Sequence, residues 1–328
     1  MSDPSNPHFS SLRLGSHPVR DDVAFDLDSV LSSVVSLRAT VPEDAFTAPI
    51  LGTEREGQGV VIDNSGRVLT IGYLVTEAEE IWLIGNNNTA LPAHVVAYDQ
   101  ETGFGLVQAL GNLGLPAAEI GESFPVGVGD PVIVAGQGGA KEAVNAQVVS
   151  VREFAGSWEY LLDDAIFTIP AHPKWSGAGV FNQIGQLIGI GSLYIQQAIP
   201  GEDQIDGNMI VPIDILKPIY DDLITLGRPD KTPRPWLGMT TAEADDRLVV
   251  AGLANRGPAM RAGVELGDLV VGIAGEPVEG LSNMFRRIWA LGSASVAVPL
   301  TLQRDGRTLS VTVDSGQRAD YLKKPNIN

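Results

Sequence analysis

One serine of this chain stands in a setting that suits nucleophilic chemistry. Ser176 opens the small-residue turn Ser-Gly-Ala-Gly, which is followed by a short apolar segment, a polar break and an apolar run over residues 187–190. A glycine-flanked turn between two buried strands exposes a hydroxyl beside free backbone N–H groups, the donors that hold an oxyanion. The turn by itself equally describes a β-hairpin with a surface serine, so other residues must decide between the two interpretations.

A serine nucleophile needs a base, and histidine is the usual one. The chain has four histidines: His8 and His17 lie near the N-terminus, His94 lies in a strand pattern, and His172 precedes Ser176 by four residues. We expect His94 and His172 to be surface or hydrogen-bonded side chains. The histidines show no metal-ligand spacing and there is no cysteine, which excludes disulfides and thiolate sites. We therefore expect neither a metal nor a cofactor.

The composition indicates a globular chain that is rich in turns and strands. Its 328 residues include 37 glycines, 21 prolines and only 6% aromatic residues, and this length suggests about two or three domains. The net charge of −18 argues against nucleic acid and anionic membranes as partners, because both require a basic face. The N-terminus is polar, and no apolar run is long enough to span a bilayer. From these features we expect a cytoplasmic protein that does not insert into membranes.

Short strands must position the serine turn. The apolar pattern predicts a helix start followed by a strand over residues 26–39, a hairpin over 57–75, and strands over 80–83 and 90–98. Glycine and proline recur at short intervals between β-branched runs over residues 121–151. That pattern is typical of a barrel of short strands.

Three stretches resemble the HtrA (DegP-like) family of trypsin-like serine proteases. The serine turn matches the family's nucleophile segment at Ser176, Gly177, Asn182, Gly185, Ile188, Gly189 and Ile190. The hairpin matches the family's histidine segment at Gly57, Gly59, Ile62, Asp63, Gly66, Leu69, Thr70 and Val75. The aspartate segment is matched at Asp99, Thr102, Leu106 and Val107. The resemblance implies a double β-barrel over about residues 30–228.

The resemblance also implies that the catalytic machinery is degenerate. Ser176 keeps the nucleophile position, but the family's catalytic histidine falls on Tyr73, its aspartate on Gly103, and a glycine of its oxyanion loop on Lys174. Tyrosine, with an ordinary pKa of about 10, is no base at neutral pH, and glycine has no side chain to orient a base. Lysine resists a positive φ, which glycine adopts readily. Because loss of triad members leaves a residual rate of only ~10³–10⁴ over water, we expect no working protease.

The C-terminal part of the chain resembles a PDZ domain. Residues 257–281 match the PDZ pattern at Pro258, Ala259, Ala262, Gly263, Gly267, Asp268 and Gly275. In such domains a loop of backbone N–H groups captures the C-terminal carboxylate of a peptide that adds to the sheet as a strand. The resemblance assigns this loop to Trp236, Leu237, Gly238 and Met239, and the apolar side of the groove to Phe285 and Ile288. The last two residues lie at helical spacing and suit an ordinary core as well.

We therefore predict a mainly β chain with two folded domains. The predicted parts are a flexible N-terminal arm (1–27), a trypsin-like domain of two six-stranded β-barrels (28–228), a linker (229–235), a small α+β PDZ domain (236–316) and a C-terminal tail (317–328). The predicted function is that of a pseudoprotease that binds peptides or protein C-termini, as an adaptor, scaffold or regulator in protein quality control. Two alternatives stay open: an active serine endopeptidase with a non-standard base, and a structural subunit that assembles with an active relative. The resemblance implies a homotrimer.

Overall fold

The computed structural model describes residues 13–201 and 204–323, and the contacts of the chain divide it into two compact units. The first unit comprises Met1–Arg152, Asp164–Asp230 and Lys323–Asn328, and the second comprises Glu153–Asp163 and Lys231–Leu322. The first part of the predicted N-terminal arm, with His8, and the end of the predicted C-terminal tail lie outside the described residues.

The first unit begins with a closed six-stranded β-barrel. Its strands are β1 (Val34–Thr40), β2 (Glu54–Val61), β3 (Arg67–Ile71), β4 (Glu80–Ile84), β5 (Ala90–Tyr98) and β6 (Phe104–Ala109). They close in the order β1-β2-β3-β6-β5-β4. Along β1, Leu37 and Ala39 are buried while Arg38 and Thr40 are exposed, because successive side chains of a strand point to opposite faces.

A second closed barrel completes the first unit. Its strands are β7 (Pro131–Ala135), β8 (Ala143–Gly156), β9 (Tyr160–Ile169), β10 (Gly179–Phe181), β11 (Leu187–Ile195) and β12 (Gly207–Pro212). They close in the order β10-β11-β12-β9-β8-β7, and an apolar cluster that includes Val134, Ile166, Val180 and Ile210 fills the interior. The predicted double six-stranded barrel is thereby confirmed.

The helices of the first unit are short. They are α1 (Leu27–Ser32), α2 (Ala48–Leu51), α3 (Gly72–Val75) and α4 (Tyr220–Leu226), with 3-10 turns at Arg20–Asp22, Gly139–Glu142, Ile213–Ile215 and Lys217–Ile219. Asp26 caps α1, since its carboxylate accepts the N–H of Ser29. The predicted helix start and strand over residues 26–39 are both present.

Part of the predicted flexible arm is bonded to the second barrel. Gly15 donates its N–H to the carbonyl of Asn145 at 2.9 Å, and Asn145 donates its own to Ser16 at 2.9 Å. The ring nitrogen Nδ1 of His17 lies 2.9 Å from the carbonyl oxygen of Ala143. Because Asn145 and Ala143 belong to β8, backbone pairing holds residues 15–17, and the expected flexible arm does not extend through them.

The second unit is a small α+β domain. Its strands are β13 (Met239–Ala244), β14 (Arg247–Leu253), β15 (Leu269–Ile273), β16 (Glu276–Pro277), β17 (Ala297–Arg304) and β18 (Arg307–Asp314). Its helices are α5 (Pro258–Arg261) and α6 (Leu281–Ala290), with a 3-10 turn at Arg318–Asp320. The sheet order is β13-β14-β15-β17-β18, so β13 is an edge strand, and β16 pairs with β15. The helical spacing of Phe285 and Ile288 in the sequence agrees with α6, which contains both residues.

The observed division differs from the predicted domain boundaries at both ends of the PDZ domain and at one segment of the barrel domain. The second unit begins at Lys231, within the predicted linker, and continues to Leu322, within the predicted C-terminal tail. Residues Glu153–Asp163 were expected inside the barrel domain, but their contacts assign them to the second unit. Leu161 is one of its buried apolar residues and belongs to the same cluster as Leu237 and Phe285.

Within the described residues, no helix has both the length and the apolar character needed to cross a membrane.

Candidate active site

Two adjacent strand ends of the first barrel bring the predicted triad positions Tyr73 and Gly103 together. Strands β3 and β6 are antiparallel, with Ile71 opposite Phe104, so the residues after β3 meet those before β6. Tyr73 lies in α3 directly after β3. The N–H of Gly72 donates to the carbonyl of Gly103 at 2.7 Å, which places position 103 beside the backbone that carries Tyr73.

The turn that carries Ser176 belongs to the second barrel and contacts strand β2 of the first barrel. The N–H of Gln58 on β2 donates to the carbonyl of Ser176 at 2.7 Å. Gly177 has a φ of +77°, and a Cβ there would lie 2.0 Å from the carbonyl oxygen of Gln58. Only glycine fits so close an approach of two backbones, which is the reason that Ser176 is followed by glycine.

The hydroxyl of Tyr73 joins Ser176 to the strand behind it. It lies 2.8 Å from Oγ of Ser176 and donates to the carbonyl oxygen of Ser192 on β11 at 2.7 Å. A carbonyl oxygen can only accept, so the one phenol proton is used by Ser192. Ser176 therefore donates its own proton to the phenol oxygen of Tyr73.

The acceptor of the Ser176 hydrogen bond is a neutral phenol. Burial raises the pKa of Tyr73 well above its ordinary value, and this outweighs the hydrogen bond to Ser176, which lowers it. The phenol therefore remains neutral at neutral pH. A neutral phenol that already donates its proton is too weak a base to remove the proton of Ser176, so the hydroxyl of Ser176 donates a hydrogen bond to it.

The aspartate position supplies no carboxylate. Gly103 has a φ of +83°, a conformation that side chains rarely adopt. The backbone that contacts Gly103 is also crowded. At Gly72, which donates its N–H to Gly103, an added Cβ would lie 2.3 Å from the ring of Tyr98. The nearby Asp99 accepts the N–H and hydroxyl of Thr102 at 3.0 and 2.8 Å, so its carboxylate stabilises the turn that leads into β6.

One backbone donor of the oxyanion loop is used inside the loop. The N–H of Lys174 donates to Nδ1 of His172 at 3.0 Å, while Nε2 of His172 lies 3.0 Å from the carbonyl oxygen of Glu142. Because that carbonyl must accept, Nε2 carries the proton and Nδ1 is the acceptor. Lys174 has a negative φ, since it is not among the described residues with positive φ. Position 174 thus lacks the positive φ that a glycine would readily adopt.

The two candidate substitute bases are engaged or remote. Both ring nitrogens of His172 are hydrogen-bonded, and burial lowers its pKa, so the ring is neutral and not free for Ser176. His94 is an exposed residue of β5 opposite Gln108.

The ammonium of Lys174 pairs with the carboxylate of Glu142 at 3.0 Å. Trp175 is partly exposed.

The predicted carboxylate-binding loop of the second unit holds a carboxylate of this chain. Oε1 of Glu159 accepts the N–H groups of Gly238 at 2.9 Å, Leu237 at 3.2 Å and Met239 at 3.4 Å. Gly238 has a φ of +69°, which turns the backbone so that successive N–H groups converge, as in other anion-binding backbone loops. Trp236 is buried and its ring packs against Tyr321 at 4.6 Å between ring centroids.

The predicted groove residues are part of the apolar core. Phe285 and Ile288 of α6 are each 1% exposed and share one buried cluster with Leu237, Met239 and Leu161. Apolar side chains of this chain, including Leu161, therefore surround Phe285 and Ile288, so these two residues do not line an open groove in this structure.

Sequence reasoning missed two contributors to these sites. Ser192 acts through its backbone carbonyl, and a backbone acceptor has no signature in the sequence. Glu159 lies between Trp158 and Tyr160 in a segment between strands, where a lone glutamate suggests an exposed turn. The contact of Glu159 with residues 237–239 spans 78–80 positions, and no local pattern could have indicated it.

Comparison with known proteins gives the two domains directly. Residues 57–190 match the trypsin-like peptidase domain, and residues 235–314 match the PDZ domain. The first match contains Tyr73, Gly103 and Ser176, and the second contains the loop at residues 236–239.

Curated relatives carry the same kind of name. The chain is 28% identical over 286 residues to a "Probable periplasmic serine endoprotease DegP-like" of Rhizobium meliloti (strain 1021), covering 82% of this chain and 55% of the relative. It is 26% identical over 282 residues to a protein of that name from Pseudomonas savastanoi pv. phaseolicola (strain 1448A / Race 6), covering 82% and 57%. The chain thus spans little more than half the length of the curated relatives it matches.

Solved structures show the same fold. An "HtrA-type protease AlgW with decapeptide" matches with a TM-score of 0.52 at 20% identity, covering 89% of this chain and 97% of that one. The serine endoprotease from Yersinia pestis matches with a TM-score of 0.51 at 19% identity, covering 88% and 95%. At these identities the likeness concerns the fold alone.

The sequence-based expectation of a cytoplasmic location is wrong. The relatives above are named periplasmic serine endoproteases, which points to the periplasm instead. The expectation rested on the polar N-terminus, and the point at which a sequence begins carries no information about compartment.

Proposed function

Because this chain joins a trypsin-like peptidase domain to a PDZ domain and is homologous to DegP-like (HtrA-type) serine endoproteases, we propose that it is a catalytically silent relative of those enzymes. In this proposal the double barrel is a pseudoprotease and the PDZ domain binds peptides or protein C-termini. The protein then serves as an adaptor, scaffold or regulator in protein quality control. We propose the periplasm, named for its relatives, as its compartment.

One observation carries the proposal of catalytic silence. The hydroxyl of Tyr73 donates to the carbonyl of Ser192 and accepts a hydrogen bond from Ser176. In a working serine protease the neighbouring group accepts the same hydrogen bond, but it is basic enough to take the serine proton and carry it as a cation. Tyrosine at this position would have to become an oxonium, which is not accessible in water.

Two further features support the proposal. No carboxylate is present at position 103 to orient a base, and the N–H of Lys174 is donated to His172 at 3.0 Å. An oxyanion-hole donor contributes about 10²–10³ in kcat. Restoring a base alone would therefore leave the hydrolysis of peptides slow.

The second unit supports the binding role. Residues 237–239 present converging N–H groups to a carboxylate, and β13 beside them is an edge strand of the sheet. An edge strand next to an anion-binding loop is the arrangement that strand addition of a peptide C-terminus requires. The similar AlgW structure is described as containing a decapeptide. A homotrimer stays a prediction from the family resemblance, and light scattering of the purified chain tests it.

A labelling experiment tests the catalytic proposal. The full chain and its Ser176→Ala variant are treated with a fluorophosphonate–rhodamine probe and, separately, with casein. We expect equal, background labelling and no cleavage by either protein. Trypsin serves as the positive control, and trypsin inactivated with diisopropylfluorophosphate as the negative one. Labelling and cleavage that depend on Ser176 would overturn the proposal and favour an active endopeptidase with a non-standard base.

A further inference from the structure

Glu159 occupies the place where a peptide's C-terminal carboxylate would bind. Its Oε1 accepts N–H groups from Leu237, Gly238 and Met239, and its Oε2 lies 3.2 Å from the N of Leu237. Glu159 itself has a φ of +62°, so the backbone turns at this residue and the side chain alone enters the loop. These are the three donors that the sequence assigns to ligand recognition.

The residues before Glu159 lie along the edge strand of the sheet. The N–H of Thr241 on β13 donates to the carbonyl of Ser157 at 3.0 Å. Ser157 precedes Glu159 by two positions, and Thr241 follows Met239 by two, so the segment runs antiparallel to β13. A peptide added to the sheet would use this N–H of Thr241 and would run in this direction.

An apolar side chain accompanies the carboxylate. Leu161 is 9% exposed and belongs to the buried cluster that contains Leu237, Phe285 and Ile288. A carboxylate on a row of N–H groups, with an apolar side chain in the core beside it, reproduces the two features of a peptide that ends in a free, apolar residue.

Both ends of the segment are tied to the helix of the same unit. The guanidinium of Arg286 on α6 pairs with the carboxylate of Glu153 at 2.6 Å and with that of Asp163. These are the first and last residues of the segment Glu153–Asp163. The pairs are solvent-exposed, so each contributes little stability, but together they restrict where the segment can lie.

We propose that the segment Glu153–Asp163 is an internal ligand of the PDZ domain, which external peptides with a free carboxylate and an apolar last residue must displace. The proposal rests on the proposed peptide-binding function of that domain. An internal ligand reduces the apparent affinity of an external one by the fraction of molecules in which the site is open. The PDZ domain of the resting chain is thus mostly closed, and a partner opens it by competition.

Peptide binding to three variants of the full chain tests the proposal. The probes are four fluorescein-labelled heptapeptides that share one sequence and end in valine, leucine, isoleucine or phenylalanine with a free carboxylate. Glu159→Ala removes the internal carboxylate, and Arg286→Ala removes both ion pairs without touching the loop. Glu276→Ala is the matched control, because Glu276 is an exposed glutamate of the same unit, on β16. Fluorescence anisotropy gives each dissociation constant.

The expected result is a ranking of affinities. Glu159→Ala binds the best peptide on the order of tenfold more tightly than the unaltered chain or more, Arg286→Ala binds with intermediate affinity, and Glu276→Ala equals the unaltered chain. Equal affinities of the unaltered chain and both Glu159→Ala and Arg286→Ala would overturn the internal-ligand proposal while leaving the peptide-binding function intact. No binding of any peptide to any variant would overturn the peptide-binding function and, with it, the internal ligand.

A second measurement needs no variant. Hydrogen exchange of the unaltered chain is recorded with and without a saturating amount of the best peptide. We expect the amides of residues 157–161 to exchange faster when the peptide is bound, while the N–H of Thr241 stays protected because the peptide replaces Ser157 as its acceptor. Unchanged protection of residues 157–161 under saturation would show that the peptide binds without displacing the segment, and would overturn the proposal.

Discussion

The phenol oxygen of Tyr73 lies 2.8 Å from Oγ of Ser176, and it donates its only proton elsewhere, to the carbonyl of Ser192 at 2.7 Å. One side chain thus stands where the family has a base, accepts a hydrogen bond from the serine and connects the two barrels. Activation of a serine in this position requires an acceptor that is more basic than a neutral phenol.

Removing the phenol hydroxyl should change stability and leave catalysis absent. We expect Tyr73→Phe to lower the free energy of unfolding by about 1–2 kcal/mol, because the buried carbonyl of Ser192 loses its donor. Fluorophosphonate labelling should stay at the level of Ser176→Ala. Urea denaturation measures the first effect, and Tyr194→Phe, at a partly exposed tyrosine, is the control. If the unaltered chain were labelled and Tyr73→Phe were not, the phenol would be acting as the base.

Restoring the triad should recover only weak hydrolysis. In Tyr73→His with Gly103→Asp, the aspartate must adopt a φ near +83°, and the N–H of Lys174 remains donated to His172. We expect a small gain in casein cleavage over the unaltered chain. Adding Lys174→Gly should increase the rate further, by up to about 10²-fold, because a glycine can turn its N–H toward the oxyanion. Full activity from the first two changes alone would show that the loop is not impaired.

A buried arginine holds the helix that carries Tyr73. Arg55 is 4% exposed and donates to the carbonyls of Tyr73 at 2.7 Å and Thr76 at 2.9 Å, and to the hydroxyl of Thr47 at 2.8 Å. Burial would raise the pKa of Glu77, but hydrogen bonds, including those from Thr47, outweigh it and hold the pKa below its ordinary value. The network therefore contains two charged groups, the guanidinium of Arg55 and the carboxylate of Glu77, which the hydroxyl of Thr47 connects.

Removing this guanidinium should destabilise the first unit strongly. We expect Arg55→Met to cost about 3 kcal/mol, the scale for leaving a buried charge without its partner. The matched control is Arg38→Met, because Arg38 pairs with Glu56 at 3.2 Å on the surface and such pairs contribute about 0–1 kcal/mol. Denaturant unfolding measures both. Equal effects of the two changes would contradict the structural role of Arg55.

Peptide recognition by the PDZ domain should depend on a free carboxylate. In the Glu159→Ala background, where the loop is open, we expect amidation of the peptide C-terminus to weaken binding about tenfold or more, or roughly 1.5–3 kcal/mol, because charge-assisted hydrogen bonds to the N–H groups are lost. Calorimetry with free-acid and amidated forms of one apolar-ended peptide measures the difference. Equal affinities would show that the loop contributes nothing to recognition.

The carboxyl group of Glu159 should titrate near neutral pH. Burial raises its pKa to about 7, although the N–H donors of Leu237, Gly238 and Met239 and the charge of Arg318 act in the opposite direction. Between pH 4.5, which is the ordinary pKa of glutamate, and about pH 7, the docked segment therefore holds more protons than the released segment. Docking is therefore fully favoured below pH 4.5 and weakens as the pH rises through about 7.

Nuclear magnetic resonance can follow this titration. We expect the amide signal of Gly238 to shift with a midpoint near pH 7 in the unaltered chain, because its N–H faces Oε1 of Glu159 at 2.9 Å. In Glu159→Gln the shift should be absent. A midpoint near the ordinary glutamate value would contradict a pKa raised by burial and would show that the three N–H donors and Arg318 offset the effect of burial.

The sequence was enough to predict the fold, because alternating apolar residues and glycine-marked turns indicate short strands and because local segments resemble the HtrA family. The same resemblance assigned two triad positions to residues 73 and 103, whose types can be read from the sequence. The PDZ pattern was predictable because its matched residues lie close together, within residues 257–281.

Only the tertiary structure decided which groups those positions meet. The closed barrels bring Ser192 to Tyr73 across 119 positions, and the segment around Glu159 reaches Gly238 across 79. Contacts of this kind depend on how strands close and where hairpins end, which residue types and spacing do not encode locally. For that reason the sequence could predict an unactivated serine and a carboxylate-binding loop, but only the folded chain could show that Tyr73 accepts a hydrogen bond from Ser176 and that Glu159 fills the loop.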